Sequence, residues 1–152
     1  MVNSCTFRKG RVEELEMLQA IFVPSIQTTC KKDYTADQIA VWIDSVKNKD
    51  RWVQKLTCDY LLVAEMHKGI VGFASLQSNN YLDFLYVHPD FQSRGIGRKL
   101  IQLMEMEAIR LGSGHISSDV SVTALSTFLK CGYLVIKPNF CSRSKNCQRS
   151  MK

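Results

Sequence analysis

Residues 81–100 join an apolar strand to an amphipathic helix through two glycines. Tyr81-Leu82-Asp83-Phe84-Leu85-Tyr86-Val87 is rich in aromatic and aliphatic residues and reads as a strand. Pro89 makes a turn, Gln92-Ser93-Arg94-Gly95-Ile96-Gly97 follows, and Leu100, Ile101, Leu103, Met104, Ala108, Ile109 and Leu111 then recur at helical spacing up to Gly112. A strand feeding a helix through glycines leaves unpaired backbone N–H groups at the positive end of the helix dipole. Such a junction is suited to bind an anion.

Two phosphate loops fail at specific positions. A dinucleotide fingerprint requires a third glycine where Leu100 stands, and a Walker loop requires a Gly-Lys-Ser/Thr triplet that the chain lacks. What remains is Gln-x-x-Gly-x-Gly after a strand ending in Val-x-Pro. In these residues the chain resembles the GNAT superfamily of N-acetyltransferases. The resemblance implies that an acyl-CoA pyrophosphate rests on Gln92, Ser93, Arg94, Gly95, Ile96, Gly97 and Arg98. It also implies acetyl-CoA as cosubstrate, with no metal. Many members carry Asn-x-x-Ala-x-x-aromatic-Tyr, then Gly-Phe, on a helix lining the pantetheine. Here Ser121 to Tyr133 occupies that frame. Ala124 and Gly132 fit, Ser121 replaces Asn, and Phe128 replaces the Tyr often assigned as general acid. A bacterial subgroup with Ser and Phe at those places is similar, as is the segment from Asp33-Tyr34-Thr35 to Trp42. The implied fold is α/β: a mixed central sheet of about six to seven strands flanked by about four helices, in one domain over residues 1–152.

Taken in order, Cys5 to Arg8 reads as a first strand and Arg11 to Phe22 as an apolar helical stripe, limited by Pro24. Ser25 to Tyr34 is polar enough for a loop, and Thr35-Ala36-Asp37-Gln38 forms a capping box for a helix carrying Ile39, Trp42, Ile43 and Val46. Arg51 to Leu56 is ambiguous. Tyr60 to Glu65 and Ile70 to Leu76 read as an antiparallel pair turning at His67-Lys68-Gly69, and Ser78-Asn79-Asn80 as a turn. His115 to Val120 is expected to be a strand, Val122 to Cys131 a short helix and Tyr133 to Ile136 a last clear strand. From Pro138 onward a weak strand or coil fits equally.

Composition narrows the function classes. The 152 residues are 45% hydrophobic and 22% charged, as in a soluble globular protein, and no apolar run approaches a membrane span. Met1-Val2-Asn3-Ser4 begins no signal peptide, so the six dispersed cysteines read as reduced thiols in a cytoplasm. His67, His88 and His115 lack metal-ligand spacing. Of the net charge of +6, Lys137, Arg143, Lys145, Arg149 and Lys152 supply five, unopposed by any acid. That tail reads as a solvated end or a docking surface for acidic groups. Basic and aromatic residues are not interleaved there, which argues against nucleic acid.

Acyl transfer to an amine requires a neutral amine, donors for the oxyanion and an exit for the thiolate. By resemblance, the backbone of Leu85, Tyr86 and Val87 supplies the donors. Asp83 is the preferred base, since an acid within an apolar strand is unusual; a carboxylate bonded to backbone or to a core tyrosine is the equal alternative. Strict alternation sets Tyr81, Asp83, Leu85 and Val87 on one face, and Leu82, Phe84 and Tyr86 on the other. Tyr133, or water, would protonate the thiolate. His115, His88, Tyr34, Trp42 and Tyr81 are weaker candidates, Arg94, Arg98 and Lys99 crowd the loop, and Cys131 lacks the Cys–His–Asp pattern of a nucleophile. Expected partners are a small-molecule or peptide amine and a possible second copy of the chain, with no nucleic acid or membrane. A catalytically silent acyl-CoA-binding module is the competing reading.

Overall fold

The computed structural model describes residues 4–67 and 69–144. The described strands are β1 (Thr6–Lys9), β2 (Tyr60–Met66), β3 (Gly69–Gln77), β4 (Tyr81–Val87), β5 (His115–Asp119), β6 (Leu134–Lys137) and β7 (Phe140–Ser144). They form one sheet in the order β1-β2-β3-β4-β5-β7-β6. All neighbours are antiparallel except β4 and β5, which run parallel. The helices are α1 (Leu15–Thr29), α2 (Ala36–Asp44), α3 (Lys49–Cys58), α4 (Ile96–Arg110) and α5 (Leu125–Lys130). None is long and apolar enough to cross a membrane.

Each face of the sheet buries its own core. Against one face pack Ile96, Leu100, Ile101 and Met104 of α4 with Phe128 of α5. Against the other pack Leu18, Ile21, Phe22 and Ile26 of α1 with Trp52 and Leu56 of α3. An aromatic cluster anchors this second core: the Phe22 ring lies 5.0 Å from Trp52 and 4.8 Å from Tyr86, and Trp52 lies 5.0 Å from Phe84. Such ring pairs add to what burial alone contributes.

Several expectations are corrected. Pro24 does not end the first helix; it lies inside α1, which continues to Thr29. Burial explains this, because Ser25 and Ile26 beyond the proline are inside the core and the Ser25 hydroxyl donates to the Phe22 carbonyl at 2.9 Å. Tertiary packing here offsets the lost helix bond. The ambiguous stretch around Arg51 is α3, opened by Asn48, whose side chain accepts from the Arg51 N–H. The Thr35 capping box forms as read, with Gln38 Oε1 accepting from the Thr35 N–H at 2.8 Å. The helix expected from Val122 begins only at Leu125. Ahead of it the Val122 N–H donates to the Tyr34 hydroxyl and the Ala124 N–H to Ser121 Oγ.

The stretch after Pro138 is a full strand, β7, inserted between β5 and β6. Its inward residue Cys141 is wholly buried. Arg143 is therefore no solvated tail residue: its guanidinium donates at 3.1 Å to both carboxylate oxygens of Glu105 on α4, and both side chains are nearly inaccessible. Lys145, Arg149 and Lys152 of the proposed basic tail, Cys147, Lys68 in the β2–β3 turn and residues 1–3 lie outside the described residues.

Strand β4 departs from strict alternation. Ser75 lies opposite Phe84 but Leu76 lies opposite Leu82, so Asp83 is an extra residue in a bulge. The bulge moves Leu82 onto the α4 face with Leu85 and Val87, while Phe84 and Tyr86 stay on the α1 face. The Phe84 N–H finds Ser75 Oγ at 3.1 Å.

Arg143→Met takes the guanidinium from the buried Glu105 carboxylate and is expected to cost about 3–5 kcal/mol. Exposed Lys137→Met should stay within about 0.5 kcal/mol of the parent; urea midpoints measure both. A second ion pair carries a pH signature. Glu14 is buried and accepts from Arg8 Nη2 at 2.6 Å and from the Arg11 N–H at 3.0 Å. Bonding to Arg8 holds its carboxyl below the usual carboxylate range. A lowered folded-state value stabilises the fold above the ordinary carboxylate range, and that stabilisation is lost as the pH falls through the folded value. Glu14→Gln should flatten the acid side of the stability–pH curve.

Candidate active site

The parallel ladder between β4 and β5 stops almost where it starts. Among the described residues Tyr81 opposite Ser117 is its register pair, and the Ser117 N–H donates to the Asn80 carbonyl. One position on, the Ser118 hydroxyl bridges the widening gap to the Leu82 carbonyl at 2.6 Å. Beyond it the strands part. On its other edge β4 stays bonded to β3, where the His88 N–H donates to Val71 O at 2.8 Å. Alternation then directs the Leu85 and Val87 N–H groups away from β3, into the parting. The Val87 carbonyl on that edge accepts from Gln92 Nε2 at 3.0 Å.

A cavity of about 650 Å³ occupies the parting and runs to the start of α4. That volume suits a sizeable ligand. Strand β4 contributes Asp83, Leu85, Tyr86 and Val87 to its wall, and the loop contributes Gln92, Ser93, Gly95, Ile96, Gly97 and Arg98. From the far side come Ser121, Ala124, Phe128 and Lys130.

The loop is built as an anion cradle. Ser93 and Gly95 have left-handed φ values of 61° and 86°, and Gly95 caps α4. Successive backbone inversions of this kind turn N–H groups inward as a nest. The first intrahelical amide of α4 is that of Lys99, bonded to the Gly95 carbonyl at 3.0 Å. The amides of Ile96, Gly97 and Arg98 precede it and are left for a ligand. A Cβ built on Gly97 would meet nothing nearer than Val87 Cγ2 at 3.8 Å, so the space above the helix start is open. A diphosphate fits this donor set, with Arg98 and Lys130 as cations on the wall. Gln92 holds the cradle in place, because its Nε2 also donates to Thr29 Oγ1 at 2.8 Å and so ties the loop to both β4 and α1.

Not every residue singled out in the sequence reaches the cavity. Arg94 is exposed and stacks on the Phe91 ring at 5.2 Å, and Lys99 lies off the wall. Tyr133 lies outside the lining: it is buried in the core, edge-on to Phe128 at 5.0 Å, with burial and then the Glu105 carboxylate pushing its hydroxyl far up. A phenol so placed is a poor proton donor to the cavity. His115 is exposed, the His88 Nδ1 accepts from the Asp90 N–H, and Cys131 is buried away from the wall. Trp42 does line the cavity and packs edge-on against Tyr34 at 5.5 Å.

Other wall residues were not evident in the sequence. Ser25, Ile26, Thr29 and Cys30 arrive because α1 continues past Pro24. Burial pushes the Cys30 thiol up, which keeps it protonated. Asp119 lines the cavity at the end of β5 and accepts from the Tyr81 hydroxyl. Asp83 is half-buried, and its Oδ2 meets the ammonium of Lys55 from α3. No signal in the β4 sequence pointed to that lysine. Among the described residues no group of three or more His, Cys, Asp or Glu could hold a metal ion.

Comparison with known proteins gives the same picture. The family described as Acetyltransferase (GNAT) domain matches residues 30–146. The Escherichia coli K12 protein named uncharacterized N-acetyltransferase YafP is 28% identical over 137 residues, spanning 90% of this chain and 85% of that protein. A GCN5-related N-acetyltransferase from Rhodopseudomonas palustris superposes with a TM-score of 0.89 at 29% identity, covering 93% of this chain and 96% of that one. The PaiA N-acetyltransferase from Thermoplasma acidophilum, solved with coenzyme A, shares the fold at a TM-score of 0.82 and 22% identity, over 93% and 99% of the two chains.

The two loop glycines are expected to differ in their demands. Gly95→Ala forces a side chain into left-handed backbone and should cost about 1–2 kcal/mol. Gly97→Ala, with no atom closer than 3.8 Å to the added carbon, should leave stability level or raise it by up to about 1 kcal/mol. Chemical denaturation separates the two outcomes.

Proposed function

We propose, from the premise that this chain belongs to the GNAT acetyltransferase family, that it moves an acetyl group from acetyl-CoA to an amine by direct attack of the amine on the thioester. The observation that carries this reading is the continuity of the β4–β5 parting with the amide cradle of 93–98 in one cavity. That continuity supports a diphosphate in the cradle with the thioester beside Leu85 and Val87. The coenzyme A held by the Thermoplasma acidophilum neighbour supports a coenzyme A thioester as donor.

Acetyl-CoA supplies an activated acetyl group, and the chain supplies its placement. The amides of Ile96, Gly97 and Arg98 bind the diphosphate, with Arg98 and Lys130 adding charge. Ser121, Ala124 and Phe128 form the wall along the pantetheine arm. The Leu85 and Val87 N–H groups stabilise the charge that develops on the acetyl oxygen. Asp83 takes the proton from the amine nitrogen. Phe128 offers no proton and Tyr133 lies behind it, so protonation of the departing thiolate falls to water. A thiolate of pKa about 8.5 needs little help near neutral pH.

A second reading has one observation in its favour. Phe128 stands where many family members carry a tyrosine acid, which suits a silent acyl-CoA-binding module. Thiol release from acetyl-CoA across a panel of small alkylamines, an aminoglycoside, peptides with free N-termini and lysine side chains separates the two. Release with at least one amine, and N-acetylated product by mass spectrometry, is expected. Binding of acetyl-CoA without release across the panel would favour the silent module. Asp83→Asn is expected to lower turnover by about 10²–10⁴-fold with little change in the KM for acetyl-CoA.

A further inference from the structure

The carboxylate that faces the acceptor side of the cavity is gripped from behind. Lys55 lies on α3 with its side chain 9% exposed, and its ammonium meets Asp83 Oδ2 and, at 2.6 Å, Asp59 Oδ2. Gln77 Oε1 lies at 3.5 Å, and the Phe84 ring face is 5.0 Å away. Asp59 is itself 7% exposed and follows α3, its N–H donating to the Lys55 carbonyl at 2.9 Å. Lys55 and Asp59 are thus an i,i+4 pair within one stretch of chain. Its reach to β4 requires another account.

The bulge supplies one. Asp83 is the unpaired extra residue of β4, and bulges beside active sites re-aim side chains. With Oδ2 held by Lys55, Asp83 Oδ1 carries no hydrogen bond among the described residues, and the residue lines the cavity. Burying a lysine is expensive unless it is paired, so its position is well defined. The charged and titratable groups around Asp83 are Lys55 from α3, Asp59 beyond its end, Tyr81 and Tyr86 on β4 itself, and Asp119, which lines the same cavity.

We propose that Lys55 is a positioning residue for Asp83: held by Asp59 on its own helix end, it fixes one carboxylate oxygen of Asp83 and presents the other to the acceptor amine. This rests on the reading of Asp83 as base. In the step itself the proton leaves the amine nitrogen for Asp83 Oδ1. The N–C bond to the acetyl group forms as the C–S bond breaks, and the electron pair departs with the sulfur.

The test compares kcat and kcat/KM against pH for the parent, Lys55→Met, Lys55→Arg, Asp59→Asn and Asp83→Asn, using acetyl-CoA and the panel amine of fastest turnover. Lys55→Met should lower kcat about 10-fold with the KM for acetyl-CoA unchanged, and move the acidic limb of the profile up by about one pH unit, because a neighbouring cation favours the ionised carboxylate. Asp59→Asn, which leaves the ammonium to Asp83 alone, should move the same limb down. Lys55→Arg should recover part of the loss. Opposite displacements from the two neighbours are not the mark of a merely structural pair. If Asp83→Asn abolishes the limb while Lys55→Met and Asp59→Asn leave it in place, this proposal falls and the base stands. If Asp83→Asn keeps the parent rate and limb, the reading of the base falls, and this proposal with it. No thiol release with any amine would overturn both.

Discussion

The parting of β4 from β5 is the constraint on which the rest of the molecule depends. A sheet that stops pairing in its middle must dispose of the backbone groups it leaves behind, because buried amides without partners are costly. This chain disposes of them in three ways. The Ser118 hydroxyl takes the Leu82 carbonyl, the Gln92 amide takes the Val87 carbonyl, and the Leu85 and Val87 N–H groups open into a cavity. The sheet survives the interruption because β7 pairs β5 on its far edge and β3 holds β4 on its near one. Two cores of unequal character, one mainly aliphatic under α4 and one aromatic under α1 and α3, cover the two faces of the sheet, and the first includes residues from both sides of the parting.

Charge is distributed along the cavity to match. Cations Arg98 and Lys130 belong to the end formed by α4 and α5, whereas the carboxylates Asp83 and Asp119 line the walls contributed by β4 and β5. The same scaffold therefore sets cations toward one end of the cavity and carboxylates toward the other. Not all of the positive charge of the chain serves the cavity. Arg143, which contributes to that excess, is spent internally on Glu105.

Much of this was legible in the residues. The glycine loop, the helix it opens, the β2–β3 hairpin and the Thr35 cap all have local causes, and local causes leave local marks. What could not be read has non-local causes. Pro24 sits within α1 because Ile26 and Ser25 are buried by elements far along the chain. The bulge at Asp83 depends on how β3 registers against β4, and it overturns the face assignment that strict alternation gives. Strand β7 is short, with Ser142 and Arg143 among its residues, and only its place between two other strands makes it regular. Lys55 looks like a surface residue of a helix until Asp83 is brought to it.

The two tryptophans divide the molecule optically. Trp52 is enclosed by Phe22 and Phe84, with its indole N–H donating to the Ser45 carbonyl. Trp42 stands half-exposed in the cavity wall against Tyr34. Emission from the first reports the integrity of the aromatic core, and emission from the second reports what fills the cavity. With no other tryptophan in the chain, a single-site replacement of either isolates the other. The protein thus carries an intrinsic pair of fluorophores, one for folding and one for occupancy, without any label attached.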